Sequence, residues 1–230
     1  MSPHFDLEPE FLPLYEQCRA ETMTSIERMY ALYKAVEHVV RAGIAGDFAE
    51  CGVWRGGSAM MMALAAHLFG DASRRIWLYD TFAGMTAPSP RDVETMTGRS
   101  AADILAASPR DEGSPFWGIA PRRIVEANLA RTFHPPEAWK IVEGDVLETL
   151  PAQAPQALAI LRLDTDWYES IGHTLRTLYP RLVRGGVLIV DDYGYWSGAR
   201  EAVDLYFEEA GRERPLLNRI DCTGRIAVKP

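Results

Sequence analysis

The chain has 230 residues, enough to bury one substantial core and carry an added cover, so a single domain spanning residues 1–230 is expected. A formal net charge of -8 and a pI near 5.2 argue against nucleic acid or an anionic membrane as partner, since both repel an acidic surface, and leave a small molecule as the expected one. Three cysteines without CxxC spacing exclude a disulfide framework or zinc cluster, and with no leader-like segment or apolar run of about 18 residues the protein is expected to be cytoplasmic.

The first 20 residues, with Pro3, Pro9 and Pro13, read as an extended arm. Its aromatics, Phe5, Phe11 and Tyr15, suit contact with a second subunit, and a homodimer is expected. Thr24-Ser25-Ile26-Glu27 has capping-box spacing, and Ile26, Met29, Tyr30, Tyr33, Val36 and Val40 follow at helical period until Gly43. Residues 1–43 are thus an arm and a helix covering the domain.

Gly46 to Ser58 reads as a short strand, a glycine-rich turn and a helix start, with the apolar helix Ala59 to Phe69 behind it. It is neither G-x-G-x-x-G, because position 54 is Trp, nor a P-loop, because Gly57 stands where Lys is required. Such a turn still presents backbone N–H groups and a helix N-terminus to a ligand. Arg75 to Asp80 is a second strand ending in an acid, and an acid there accepts hydrogen bonds from ribose hydroxyls in nucleotide-binding βαβ units. The alternative role for Asp80 is capping the turn that follows.

Residues 84–118, rich in proline, serine and glycine with weak helical periodicity near Ala101 to Ala107, have the length of a lid. Trp117 to Phe133 recovers a helix, and Trp139 to Asp145 is a third strand whose Asp145 either meets an adenine amine or serves only as a strand-end Asp in a turn. The apolar strand from Ile160 delivers Asp164 and Asp166, and the strand from Val187 delivers Asp191 and Asp192, with the helix Tyr168 to Leu182 between them. The helix Gly198 to Ala210 and a hairpin, Leu217 to Cys222 with Arg225 to Val228, close the chain.

Five alternating strand and helix units plus the hairpin predict an α/β fold, a doubly wound, mostly parallel seven-stranded sheet with a C-terminal antiparallel hairpin. Ligands of such sheets bind beyond the carboxyl ends of the strands, where Glu50, Asp80, Asp145, Asp164, Asp166, Asp191 and Asp192 all fall. Clustered carboxylates are costly without a cation, so Asp164, Asp191 and Asp192 are better explained by a hard divalent ion than by helix capping alone.

The segments Glu50 to Ser58, Asp80 to Met85, Leu163 to Ser170, Gly185-Gly186 before Asp191-Asp192-Tyr193, Ala199 to Phe207 and Ile220 to Arg225 together resemble the macrocin O-methyltransferase family. The resemblance runs from about Thr22 to Lys229 and is weakest across residues 86–118. It implies a class I methyltransferase-like fold and an S-adenosylmethionine- and Mg²⁺-dependent sugar O-methyltransferase of antibiotic biosynthesis acting on a small-molecule glycoside. It further implies that Glu50, Gly52 and Ser58 line the methionine end of the cofactor, Asp80 holds the ribose and Asp145 lies near the adenine. Asp164, Asp191 and Asp192 are the implied Mg²⁺ ligands, and Asp166 the general base. Tyr168, Tyr193, Tyr195 and Trp196 are candidates for the acceptor's wall, and His173 a weaker candidate for contact with it.

Three rivals stay open: a cation-dependent phenol or catechol O-methyltransferase, a glycosyltransferase using Asp164-Thr165-Asp166 as a DxD motif, and a catalytically silent cofactor-binding partner. The first commonly carries a basic residue near position 166, absent here, and the second leaves Glu50 to Ser58 unexplained.

Overall fold

The computed structural model describes residues 6–209 and 213–230. Five parallel strands, β1 (Asp47–Cys51), β2 (Ile76–Asp80), β3 (Trp139–Glu143), β4 (Leu158–Leu163) and β5 (Leu182–Val190), build most of one sheet. With β6 (Asn218–Arg219) and β7 (Arg225–Val228) the order is β3-β2-β1-β4-β5-β7-β6, and β7 runs antiparallel to both its neighbours. The strand order reverses between β1 and β4, the place where a doubly wound sheet opens a crevice.

Strand alternation divides the core between two faces. Phe48, Ile160 and Ile189 pack against α2 (Ile26–Arg41) and α3 (Gly57–Phe69). Ala49, Leu161 and Leu188 pack against α7 (Tyr168–Leu178) and α8 (Ser197–Glu208). Two residues on from the first set, Glu50, Arg162 and Asp191 must therefore lie on the α2 and α3 side.

The arm is helical rather than extended: α1 spans Phe11–Cys18. Pro13 is tolerated because it falls in the first turn, where a backbone N–H has no intrahelical acceptor. Phe11 is fully buried against Tyr15, Tyr30 and Tyr33, a burial that contributes about 1.5–3 kcal/mol. The aromatics that suggested a second subunit are thus packed within the chain, while Pro3 and Phe5 lie outside the described residues. Ser25, not Thr24, caps α2 by accepting from the Arg28 amide, one residue later than the capping box suggested.

Residues 84–118 are docked rather than loose. They contain α4 (Ala101–Ala107), and α5 (Arg122–Ala130) begins only after Pro121. Trp167 occupies the N-cap of α7 without a side-chain cap, and Asp92 replaces that function from the cover. Its Oδ1 accepts from the Tyr168 amide at 2.7 Å and its Oδ2 from the Ser89 amide and hydroxyl, which leaves this carboxylate buried and satisfied. Trp167 Nε1–H donates to Thr86 O, and Met85 N–H to Trp117 O closes the base of the segment. The short helix α6 (Val146–Thr149) is one turn capped by Asp145. No helix among the described residues is long and apolar enough to cross a membrane.

Candidate active site

The turn after β1 brings the chain into the crevice. Gly52 has φ +85°, and a Cβ there would lie 1.9 Å from the Asp164 carbonyl oxygen, so only glycine permits β1 and β4 to end side by side. Asp80, at the end of β2, pins this turn: its Oδ2 accepts from the amides of Val53 (2.6 Å) and Trp54 (3.1 Å), and its Oδ1 from Phe82 (2.7 Å). Trp54, Phe82 and Asp166 all adopt positive φ without being glycine, which places backbone strain at the ends of β1, β2 and β4.

Two clefts open here. One is bordered by Gly52, Asp80, Gly84, Asp145 and Thr165. The other is bordered by Thr24, Arg28, Ser58, Asp192, Tyr195 and Trp196. Met23, Val53, Trp54, Pro115, Phe116, Asp164 and Asp166 line both, so the clefts meet over the end of β4.

Beneath the meeting point lies a buried charge network. Arg162 Nη1 reaches Glu50 Oε1 at 2.6 Å and Asp164 Oδ2 at 2.7 Å, while its Nη2 reaches Asp191 Oδ1 at 2.6 Å. Arg28 Nη1 pairs with the other Asp191 oxygen, and Arg28 Nε with Asp221 Oδ2 at 3.0 Å. Sequence reasoning passed over both arginines. The signal for Arg162 was available: a lone cation inside an apolar strand, two residues before Asp164 and hence on the same face. Nothing local marked Arg28, which reaches the network across 163 residues of chain.

The expected site residues are placed as follows. Gly52, Asp80 and Asp145 border the first cleft, and Asp145 also accepts from the Leu147 amide. Ser58 borders the second cleft instead, its hydroxyl against Met29 Sδ. Glu50 is fully buried under both, with Oε2 unpartnered. Asp191 has both oxygens engaged by guanidinium groups. The acids whose oxygens come within 4.8 Å of one another are Asp164, Asp166 and Asp192. His173 points away, to the Leu150 carbonyl.

Six carboxylates, at residues 50, 164, 166, 191, 192 and 221, share two guanidiniums, an excess of four negative charges if all ionise. The protein responds by favouring protonation. Burial and the charge on Asp164 push Asp166 up to about 7, and burial outweighs Arg162 to raise Glu50 to about 8. Burial, reinforced by Asp166 and Asp164, raises Asp192 well above the carboxylate range. Asp192 Oδ2 is buried without a hydrogen-bond partner. An orphaned carboxylate oxygen in an over-acidic cluster suits a hard divalent cation, so these residues fit one.

The model of the macrocin-O-methyltransferase (TylF) family matches residues 16–228. The chain belongs to this family. A curated relative, the 8-demethyl-8-(2,3-dimethoxy-alpha-L-rhamnosyl)-tetracenomycin-C 4'-O-methyltransferase of Streptomyces olivaceus, is 34% identical over 95% of this chain and 79% of its own length. Another, the demethyldecarbamoylnovobiocin O-methyltransferase of Streptomyces niveus, is 34% identical over 81% of this chain and 68% of its own. The solved structure of the O-methyltransferase NovP superposes with a TM-score of 0.74 at 29% identity, covering 91% of this chain and 82% of that one. Membership of the macrocin-O-methyltransferase family makes the protein an S-adenosylmethionine-dependent O-methyltransferase, and its seven-stranded order is that of the class I fold.

Proposed function

We propose that the protein moves the methyl group of S-adenosylmethionine to a sugar hydroxyl of a glycosylated natural product, with Asp166 as general base and Mg²⁺ at the adjoining acids. The observation that carries this reading is the meeting of two clefts over Asp164 and Asp166. One cleft takes the donor and the other the acceptor, so the reacting atoms align across the shared wall of Trp54 and Phe116. The relative named for a rhamnosyl tetracenomycin supports a sugar as the methylated group.

In the donor cleft, Gly52 lets the ligand approach the backbone, while Asp80, with lone pairs beyond its three amide bonds, receives the ribose and Asp145 adjoins the adenine. Glu50 acts from below, holding Arg162 under Asp164, and Ser58 lies on the acceptor side of the methionine end.

The oxygen nucleophile attacks the methyl carbon as the sulfur departs with its bonding pair, and the hydroxyl proton passes to Asp166. A sugar hydroxyl lies near the value for water, roughly 15.7. An Asp at 3.8 would face a gap of roughly 12, and the burial that raises Asp166 above that value narrows it. Asp164, Asp192 and, on exchanging its Arg28 partner, Asp191 would hold the Mg²⁺, which when bound polarises the acceptor hydroxyl and lowers the remaining gap.

The deciding experiment incubates purified protein with methyl-labelled S-adenosylmethionine and a panel of glycosides and their aglycones. Label is expected on glycosides alone, lost in EDTA and restored by Mg²⁺. Transfer to the free phenolic aglycones, or full activity in EDTA, overturns the acceptor or the metal assignment respectively.

A further inference from the structure

Asp166 sits in left-handed backbone, φ +63°, a conformation uncommon for a residue other than glycine. Two side chains reach that carboxyl, Asp192 and Trp196, and of these only the indole is a fixed donor that does not titrate. Trp196 Nε1–H donates to Asp166 Oδ2 at 3.2 Å, and the indole is 3% exposed, wedged edge-on against Trp167 (5.1 Å) and Tyr195 (5.0 Å). Trp196 in turn is held at both ends. Its amide donates to the Asp192 carbonyl at the end of β5, and its backbone forms a β-bridge with Glu94 of the cover. Thr95 N–H donates to Tyr195 O (2.8 Å), and Tyr195 Oη–H to Glu94 Oε1 (2.6 Å).

We propose that Trp196 is a positioning residue for the methyl transfer: its indole N–H occupies Asp166 Oδ2, leaving Oδ1 as the atom that takes the acceptor's proton, and the docked cover sets the indole. The inference rests on Asp166 acting as base. An indole has one donor and no acceptor, so it orients a carboxylate without competing for the proton that the carboxylate is to receive. The bond persists through the reaction because neither its donor nor Oδ2 changes partner. A cover that fails to dock would release Glu94, then the indole, then the base, so cover closure and base alignment are one event.

The test replaces Trp196 site-specifically by benzothienylalanine, which keeps the bicyclic shape and removes the N–H, alongside Trp196→Phe, Asp166→Asn and the double variant. The acceptor probe is a nitrophenyl α-L-rhamnoside, assayed in single turnover with enzyme in excess. The benzothienyl variant is expected to bind S-adenosylhomocysteine and the rhamnoside within about twofold of wild type while its rate falls roughly tenfold to a hundredfold, the scale of a lost hydrogen bond to a charged group. That fall is expected to vanish in the Asp166→Asn background, since a residue acting only through Asp166 has nothing left to orient.

Independently of any acceptor, the Trp196 indole N–H resonance of nitrogen-labelled protein, assigned through Trp196→Phe, is expected to shift in Asp166→Asn. An unmoved resonance, a wild-type rate in the benzothienyl variant, or an equal fall in both backgrounds overturns the proposal. Wild-type turnover by Asp166→Asn instead overturns the base assignment itself, and the proposal with it.

Discussion

Arg162 on β4 and Asp191, one residue beyond the end of the adjacent strand β5, form a 2.6 Å ion pair in which each side chain is only 3% exposed. Register explains the meeting. Leu163 pairs with Val190, so the residues beside them fall on one face, with Glu50 directly across from Arg162 on β1. One guanidinium thus serves three strands, and the acids at their ends are held in place by a charge beneath them.

Removing that charge leaves Glu50 buried without a cation and Asp191 with Arg28 as its one guanidinium partner. Arg162→Met is expected to lose about 3–5 kcal/mol of stability, read by urea unfolding. A loss under about 1 kcal/mol would show that the network is not a structural hub.

Asp192 behaves in the opposite sense. Its carboxylate is crowded by Asp166 and Asp164, with one oxygen unpartnered, so neutralising it relieves repulsion. Asp192→Asn is expected to melt at or above the wild-type temperature without metal, and to lack the upward shift with Mg²⁺ that is expected of the wild type. Differential scanning calorimetry with and without Mg²⁺ reads both effects. Retention of the Mg²⁺ shift would remove Asp192 from the metal site.

Asp166→Ala is expected to lower kcat by about 10²–10⁴ while leaving S-adenosylhomocysteine affinity unchanged, since the glycine turn and Asp80, proposed to hold the donor, are untouched. Titration calorimetry alongside turnover separates the two. A fall in cofactor affinity that matched the fall in rate would make Asp166 a binding residue instead of the base.

Gly52→Ala pushes a methyl group into the Asp164 carbonyl from a φ of +85°. The expected result is a destabilised protein whose affinity for S-adenosylhomocysteine falls at least about tenfold, because the turn that carries Val53 and Trp54 must move. Unchanged affinity would place the cofactor elsewhere.

Asp221 anchors the hairpin loop to α2 through Arg28 and the Ser25 hydroxyl. Burial works to raise its pKa, but the amides of Gly224 and Thr223, together with Ser25 and Arg28, outweigh it and hold the carboxyl at about 2 against an ordinary 3.8. A folded value below the unfolded one gives stability that is complete above 3.8 and is lost as pH falls through about 2. Asp221→Asn is therefore expected to unfold at lower urea than wild type near neutrality, with the difference narrowing below about pH 4. A difference independent of pH would assign Asp221 a role unrelated to its charge.

The strand-end acids, the glycine turn and the five strand–helix units were legible from the chain alone because each is a local pattern: an apolar run, a period, a turn residue, an acid at the end. From them came the doubly wound sheet and the family resemblance. Local pattern failed where long-range contact decides the outcome. The proline-bearing arm is a helix because Phe11 finds a pocket among α2 aromatics, and the proline-rich cover is docked because Asp92 caps a helix that begins some 76 positions later. Nor did spacing distinguish Asp191 from Asp192. They are chain neighbours, but alternation turns one toward the buried Arg162 and the partly buried Arg28 and leaves the other with a free oxygen beside Asp164 and Asp166. Which strands became neighbours, and thus which charges met which, was settled only by tertiary structure, because buried ions take their roles from partners far away in sequence.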